Sequence, residues 1–198
     1  MQVPSLSEAQ RLLAESERMN PGPWAGHNRV AGECARTIAE NVGLDADAAY
    51  ALGSLHDIGR RFGECDLRHV LLGYNFMREL GFADSARICL THSFPYKDIR
   101  AYNGKNDCTA EESVFMQAFL DKTEYDDYDR LIQLCDALSF PTGAVYVEKR
   151  LVDVALRHGF NNLTISKWKA YLALKVYFDE KVGQDIYEIL SVSLTPAP

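Results

Sequence analysis

No stretch of the 198-residue chain approaches the roughly 18 consecutive apolar residues of a membrane span. The opening "MQVPSLSEAQRLLAESERMN" lacks the basic start and apolar centre of a secretory signal. There is no CxxC pair: Cys34, Cys65, Cys89, Cys108 and Cys135 are widely spaced, and their odd number leaves at least one without an intramolecular partner. A reduced, cytoplasmic setting is therefore expected. Basic residues are outnumbered, with a formal net charge of -7, which speaks against nonspecific binding to a nucleic-acid backbone, and without an apolar span no membrane partner is expected. Internal repeats, low-complexity tracts and Gly/Ser linkers are missing, so one domain over residues 1–198 is expected. No segment alternates apolar and polar residues convincingly enough to require a sheet.

What remains is helical periodicity. Apolar residues make up 47 % and charged residues 25 %, as in an ordinary globular domain. Ser5 and Glu8 form a capping pattern ahead of "AQRLLAESERM", and Pro21 and Pro23 end that helix. A second helix from about Trp24 to Gly43 carries His27, Val30, Cys34, Ile38 and Val42 at near-helical spacing. Asp45 is positioned to cap a third, with Ala48, Ala49, Leu52 and His56 on one face and Gly59 as its stop. Asp66 is the expected start of a fourth, placing His69, Leu72, Gly73, Phe76 and Leu80 together before Gly81; Asp84 opens "SARICLTH", where Ser85, Ile88, Cys89 and His92 align. Thr109 and Glu112 form another capping box, and "YDRLIQLCDALSF" holds Asp136 among apolar neighbours. Two later segments, within about 144–192, read as packing helices. The fold class expected is all-α, a compact single-domain helical bundle.

Four of the five histidines thus fall on apolar helical faces, with Asp57 next to His56 at the end of an apolar run and Asp136 between apolar neighbours. Buried imidazoles and carboxylates are costly unless they hydrogen-bond one another or hold a metal. His158 is the exception: it sits at a helix end before Gly159 and reads as a capping or surface residue. Residues 93–108, "SFPYKDIRAYNGKNDC", break the periodicity and are expected to form a lid.

The order His27, His56-Asp57 in "HDIG", His69, His92 and Asp136 resembles the HD superfamily of metal-dependent phosphohydrolases over roughly residues 24–140. The resemblance implies that His27, His56 and Asp136 hold one ion, that His69 and His92 hold a second, and that Asp57 bridges them as the central catalytic ligand. Two divalent transition-metal ions are implied, and a mixed imidazole and carboxylate set suits Mn, Fe, Co, Ni or Zn. The activity implied is hydrolysis of a small-molecule phosphate mono- or diester, nucleotides included, by a metal-activated water. Di-iron oxygenases of the same superfamily, acting on a small polyol or phosphonate, share this ligand set and form the alternative.

Arg60 follows "HDIG" where phosphodiesterase relatives often place a phosphate-contacting lysine, and is the first substrate-binding candidate. Arg61 and Lys97 are the next, with Arg100 and Lys105 as further sources of positive potential, and Tyr96 and Tyr102 could stack on a base. "GYN" at 73–75 does not match the Gly-Tyr-Pro motif of the cyclic-dinucleotide branch.

Overall fold

The computed structural model describes residues 1–192; residues 193–198, the Pro-containing tail and the end of the expected domain, lie outside the described residues. The elements in chain order are α1 (Leu6–Met19), α2 (Pro23–Val42), α3 (Ala46–Leu55), α4 (Arg68–Glu79), α5 (Ala83–Thr91), α6 (Ala110–Lys122) and α7 (Asp127–Ala137). A two-stranded hairpin, β1 (Ser139–Phe140) and β2 (Gly143–Ala144), precedes α8 (Val147–His158), α9 (Thr164–Val182) and α10 (Ile186–Ile189). The fold is all-α apart from that hairpin. Among the described residues no helix is long and apolar enough to cross a membrane, and all five cysteines are free.

Helix starts with local caps fall where expected. The Ser5 hydroxyl accepts the Glu8 N–H at 3.3 Å, the Asp45 carboxylate accepts the Ala48 N–H at 2.9 Å, and Thr109 and Glu112 bond each other's backbones reciprocally. Asp126 and Asp129 make the same reciprocal box for α7, slightly earlier than the expected start at Tyr128. The Gly43 N–H, in a left-handed conformation (φ 74°), closes α2 onto the Ala39 carbonyl.

Other starts differ. Asp66 does not cap α4; instead the Asp107 carboxylate, far along the chain, accepts the N–H groups of Asp66 and Arg68 at 2.9 and 2.8 Å. Asp84 lies within α5, where it accepts the N–H of Gln2 at 2.6 Å. The third helix ends at Leu55 rather than at Gly59: Asp57 leaves the helical region (φ -100°, ψ 17°) and a 3-10 turn runs over Ile58–Phe62. In a continuous helix neighbouring side chains diverge by about 100°. The break turns Asp57 toward the same interior as His56.

The packing explains the bundle. α2 and α3 approach closely through small residues: a Cβ on Gly53 would meet the Ala31 carbonyl oxygen at 2.7 Å. Ala31, Ala35 and Ile38 of α2 share a core with Leu131 and Leu134 of α7 and with Phe178 and Ile186 from the C-terminal helices. Leu12 and Leu13 of α1 pack with Leu55, Ile58 and Met77 in a second cluster, and Val70, Leu90, Phe94, Met116 and Leu120 form a third.

The segment expected as a lid lines a cavity with Ser93, Tyr102, Asn103 and Gly104 and is tied by hydrogen bonds to α6, Tyr125 and Asn161. Phe94 is fully buried and its carbonyl accepts the Tyr125 hydroxyl at 2.8 Å. Gln117 accepts the Ile99 N–H and donates to the Lys97 carbonyl, and the Asn161 amide donates to the carbonyls of Arg100 and Tyr102. A short 3-10 turn at Ile99–Ala101 sits between these tethers.

Candidate metal centre

Five elements converge on one point. α2 supplies His27, the end of α3 supplies His56 and Asp57, α4 supplies His69, the end of α5 supplies His92, and α7 supplies Asp136. Each histidine is anchored through Nδ1 to a backbone carbonyl: His27 to Ser139 at 3.0 Å, His56 to Gly53 at 2.6 Å, His69 to Asp66, and His92 to Cys89 at 3.0 Å. The Ser139 carbonyl belongs to β1, so the small hairpin orients His27. A carbonyl can only accept, so in a neutral ring the proton lies on Nδ1 and Nε2 presents a bare lone pair.

Those Nε2 atoms face one another and the carboxylates. His27 Nε2 lies 3.1 Å from Asp136 Oδ1 and 3.3 Å from His56 Nε2. Asp57 Oδ1 is 2.8 Å from His69 Nε2 and 3.3 Å from His92 Nε2. Burial pushes the His56 imidazole down to about 3, so that ring is neutral. Burial opposes charge on Asp57 too, but the Arg60 guanidinium and His69 beside it hold its carboxyl well below the usual range. Lone pairs directed at lone pairs and at carboxylate oxygens lack a positive centre between them. His69 Nε2 is correspondingly buried without a hydrogen-bond partner.

The donor set supplies what a cation requires. Three overlapping trios, His27/His56/Asp57, His56/His92/Asp136 and Asp57/His69/His92, each place one ligand atom per residue within 4.8 Å of the others. Asp57 belongs to two of them, between the His27 side and the His69 side. The carbonyl bonds to Nδ1 fix the rings as metal-ligating histidines are ordinarily fixed.

The substrate candidates separate. Arg60 lines the cavity beside the cluster, donating from Nε to Asp57 Oδ2 at 2.6 Å and from Nη1 to the Cys65 carbonyl at 3.3 Å. Arg61 is a correction: it turns to α1, pairing with Glu15 at 3.0 Å and stacking 4.1 Å from the Phe76 ring centroid. Lys97 is another, since its ammonium donates to the Thr123 carbonyl and lies over Tyr125, outside the cavity. Arg100 is exposed and paired with Asp98. Tyr96 is exposed, whereas Tyr102 lines the cavity near His69.

Sequence reasoning missed the opposite wall. An inner cavity of about 120 Å³ beside Asp57, His69, His92 and Asp136 is lined on its other side by Arg150, Arg157, Lys167 and Tyr171 from α8 and α9, read from the sequence only as packing helices. It shares Arg60, Tyr102, Arg150 and His158 with an outer cleft of about 480 Å³ that reaches Trp24 and Phe140. One signal was available: Thr164, Lys167, Tyr171 and Phe178 are the buried stripe of α9, so Lys167 occupies an apolar position.

His158 is exposed and outside the ligand cluster, but it borders both spaces. His158→Ala is expected to keep the wild-type metal content, measured by elemental analysis; loss of metal would show that the ligand set is misassigned.

A family model described as the HD domain matches residues 25–140, more than half of the chain. No curated protein and no solved structure matches it.

Proposed function

Since the chain belongs to the HD-domain family, we propose that it is a metal-dependent phosphohydrolase cleaving a phosphate mono- or diester, nucleotides included. The observation that carries this reading is the cavity itself: Arg60, Arg150, Arg157 and Lys167 line it, in a chain whose net charge is -7. Positive groups gathered at one concave site in an acidic protein suit an anionic substrate.

In this reading His27, His56 and Asp136 would hold one divalent ion and His69 and His92 a second, with Asp57 as a ligand available to both. Such ions lower the pKa of a water to make a nucleophile near neutral pH and neutralise charge on a phosphoryl oxygen. The chain's own part is preorganisation. The Nδ1–carbonyl bonds lock four imidazoles, and Arg60 holds Asp57 from its far oxygen. Arg150, 3.7 Å from Asp136 Oδ1, extends the positive wall to the edge of the cluster.

Anaerobically purified protein is expected to contain close to two transition-metal ions per chain and to hydrolyse chromogenic phosphate esters or members of a nucleotide panel. Two irons with oxygen-dependent turnover and no ester hydrolysis would replace this reading with the oxygenase.

A further inference from the structure

Lys167 is a buried ammonium with no carboxylate within 4.0 Å, the charge of Asp136 acting on it only from farther away. Its residue is 7 % exposed, on the α9 stripe that faces the core. Among the described residues, the other cations lining the inner cavity each have a carboxylate within 4.0 Å: Arg60 has Asp57, Arg150 has Asp136 and Asp153, and Arg157 has Asp153. Lys167 has none; its polar contact is the Asn103 side-chain oxygen at 3.4 Å, and the rings of Tyr102 and Tyr171 lie 5.8 and 5.9 Å away. Burying a charge without a partner is among the costlier arrangements a fold can carry. Burial accordingly pushes this lysine down to about 8.

The surrounding shape indicates what is missing. Leu151, Lys167 and Tyr171 are buried residues lining the inner cavity, which shares Arg60, Tyr102, Arg150, Arg157 and His158 with the outer cleft. At about 120 Å³ the inner space is well below the roughly 300 Å³ at which pockets for drug-sized ligands begin, whereas the outer cleft at about 480 Å³ falls inside that range. The inner space has the size of a phosphoryl group, and the outer cleft has room for the organic part of a substrate. A diester, which continues beyond its phosphorus on both sides, needs room for a second substituent, which a space of about 120 Å³ does not offer.

We propose that Lys167, with Arg150, forms the seat for the terminal phosphoryl group of a phosphomonoester, whose leaving group lies in the outer cleft. This rests on the phosphohydrolase reading for the chemistry, but the anion seat itself stands on the orphaned ammonium. Both residues lie beyond the region 25–140 matched by the family model. Lys167 acts as a positioning residue on the substrate's oxygens.

The test uses full-length, metal-loaded protein and inorganic phosphate as the probe, with affinity read by calorimetry. Lys167→Met is expected to weaken phosphate binding by at least about tenfold, because a charge-assisted hydrogen bond is lost. Metal content should not change, and Tm without phosphate should rise by about 2–4 °C as the uncompensated charge is removed. KM for a chromogenic phosphomonoester should rise more than kcat falls. Lys167→Gln provides the same readings if the methionine variant does not fold.

Phosphate binding as in wild type, in either folded variant, would overturn the proposal, as would wild-type protein that fails to bind phosphate. A fall in Tm with unchanged phosphate affinity would mark Lys167 as a structural cation, with the same result. Faster wild-type hydrolysis of diesters than of monoesters would overturn the terminal-phosphoryl assignment. If wild type hydrolyses no ester yet loses phosphate binding on Lys167→Met, the anion seat stands and the hydrolase reading alone fails.

Discussion

Asp57→Ala is expected to abolish turnover and release metal while leaving the helical content intact. Asp57 is the carboxylate shared between two of the three ligand trios, as His56 and His92 are among the imidazoles, and its Oδ1 faces both His69 and His92. Losing partners that merely orient a ligand costs about 10–100-fold in metal affinity or activity, so loss of the ligand common to both sides should exceed that range. The backbone has no comparable stake. Asp57 stands after the end of α3 and before the 3-10 turn, and its side chain caps no helix. Far-UV circular dichroism should therefore match wild type, while elemental analysis shows metal falling well below the wild-type value and ester hydrolysis is lost. Full turnover in this variant would sink the bridging role and with it the dinuclear mechanism.

Gly59→Ala should unfold or severely destabilise the protein. A Cβ on Gly59 would lie 2.0 Å from the His69 carbonyl oxygen and 2.5 Å from the Gly73 backbone nitrogen. Both are backbone atoms of α4 and no side chain can swing aside, so the 3-10 turn and α4 must separate. Overpacking of this kind costs about 3 kcal/mol or more. For a chain of this size that corresponds to a Tm lowered by roughly 6–12 °C. Because α4 carries His69, metal should be lost as well. Gly43→Ala provides the contrast: its φ of 74° strains an alanine, but nothing lies within 4 Å of the added Cβ. It should cost about 1–2 kcal/mol and leave metal content unchanged. Thermal melts with parallel elemental analysis would separate the two, and equal effects would refute the close-approach explanation of Gly59.

The two variants together account for the sequence "HDIG". His56 ends the helix, Asp57 steps out of it to face the same interior, Ile58 is fully buried in the α1/α3 cluster, and Gly59 admits α4 to backbone contact. The helical break between His56 and Asp57 was not legible in the sequence, where Gly59 appeared to be the stop. Its cause is a contact with α4, ten residues and more along the chain.

By itself the amino-acid sequence determined the all-helical class, the helices whose caps lie within three residues, and the six histidine and aspartate candidates that the structure brings together. These are local matters: a capping hydroxyl or carboxylate reaches its own first turn, and helical spacing assigns a side chain to the buried face wherever the helix goes. Tertiary structure alone decided that Asp107 caps α4, that residues 93–108 are a tethered wall, that Arg61 and Lys97 turn to Glu15 and Thr123, and that Arg150 and Lys167 face the metal-ligand cluster. A basic side chain shows the same composition whether it is solvated, paired or pointed into a cavity. Which of these it becomes depends on the neighbours that distant helices bring, and for Lys167 those neighbours leave a charge in the interior with no carboxylate within ion-pair distance.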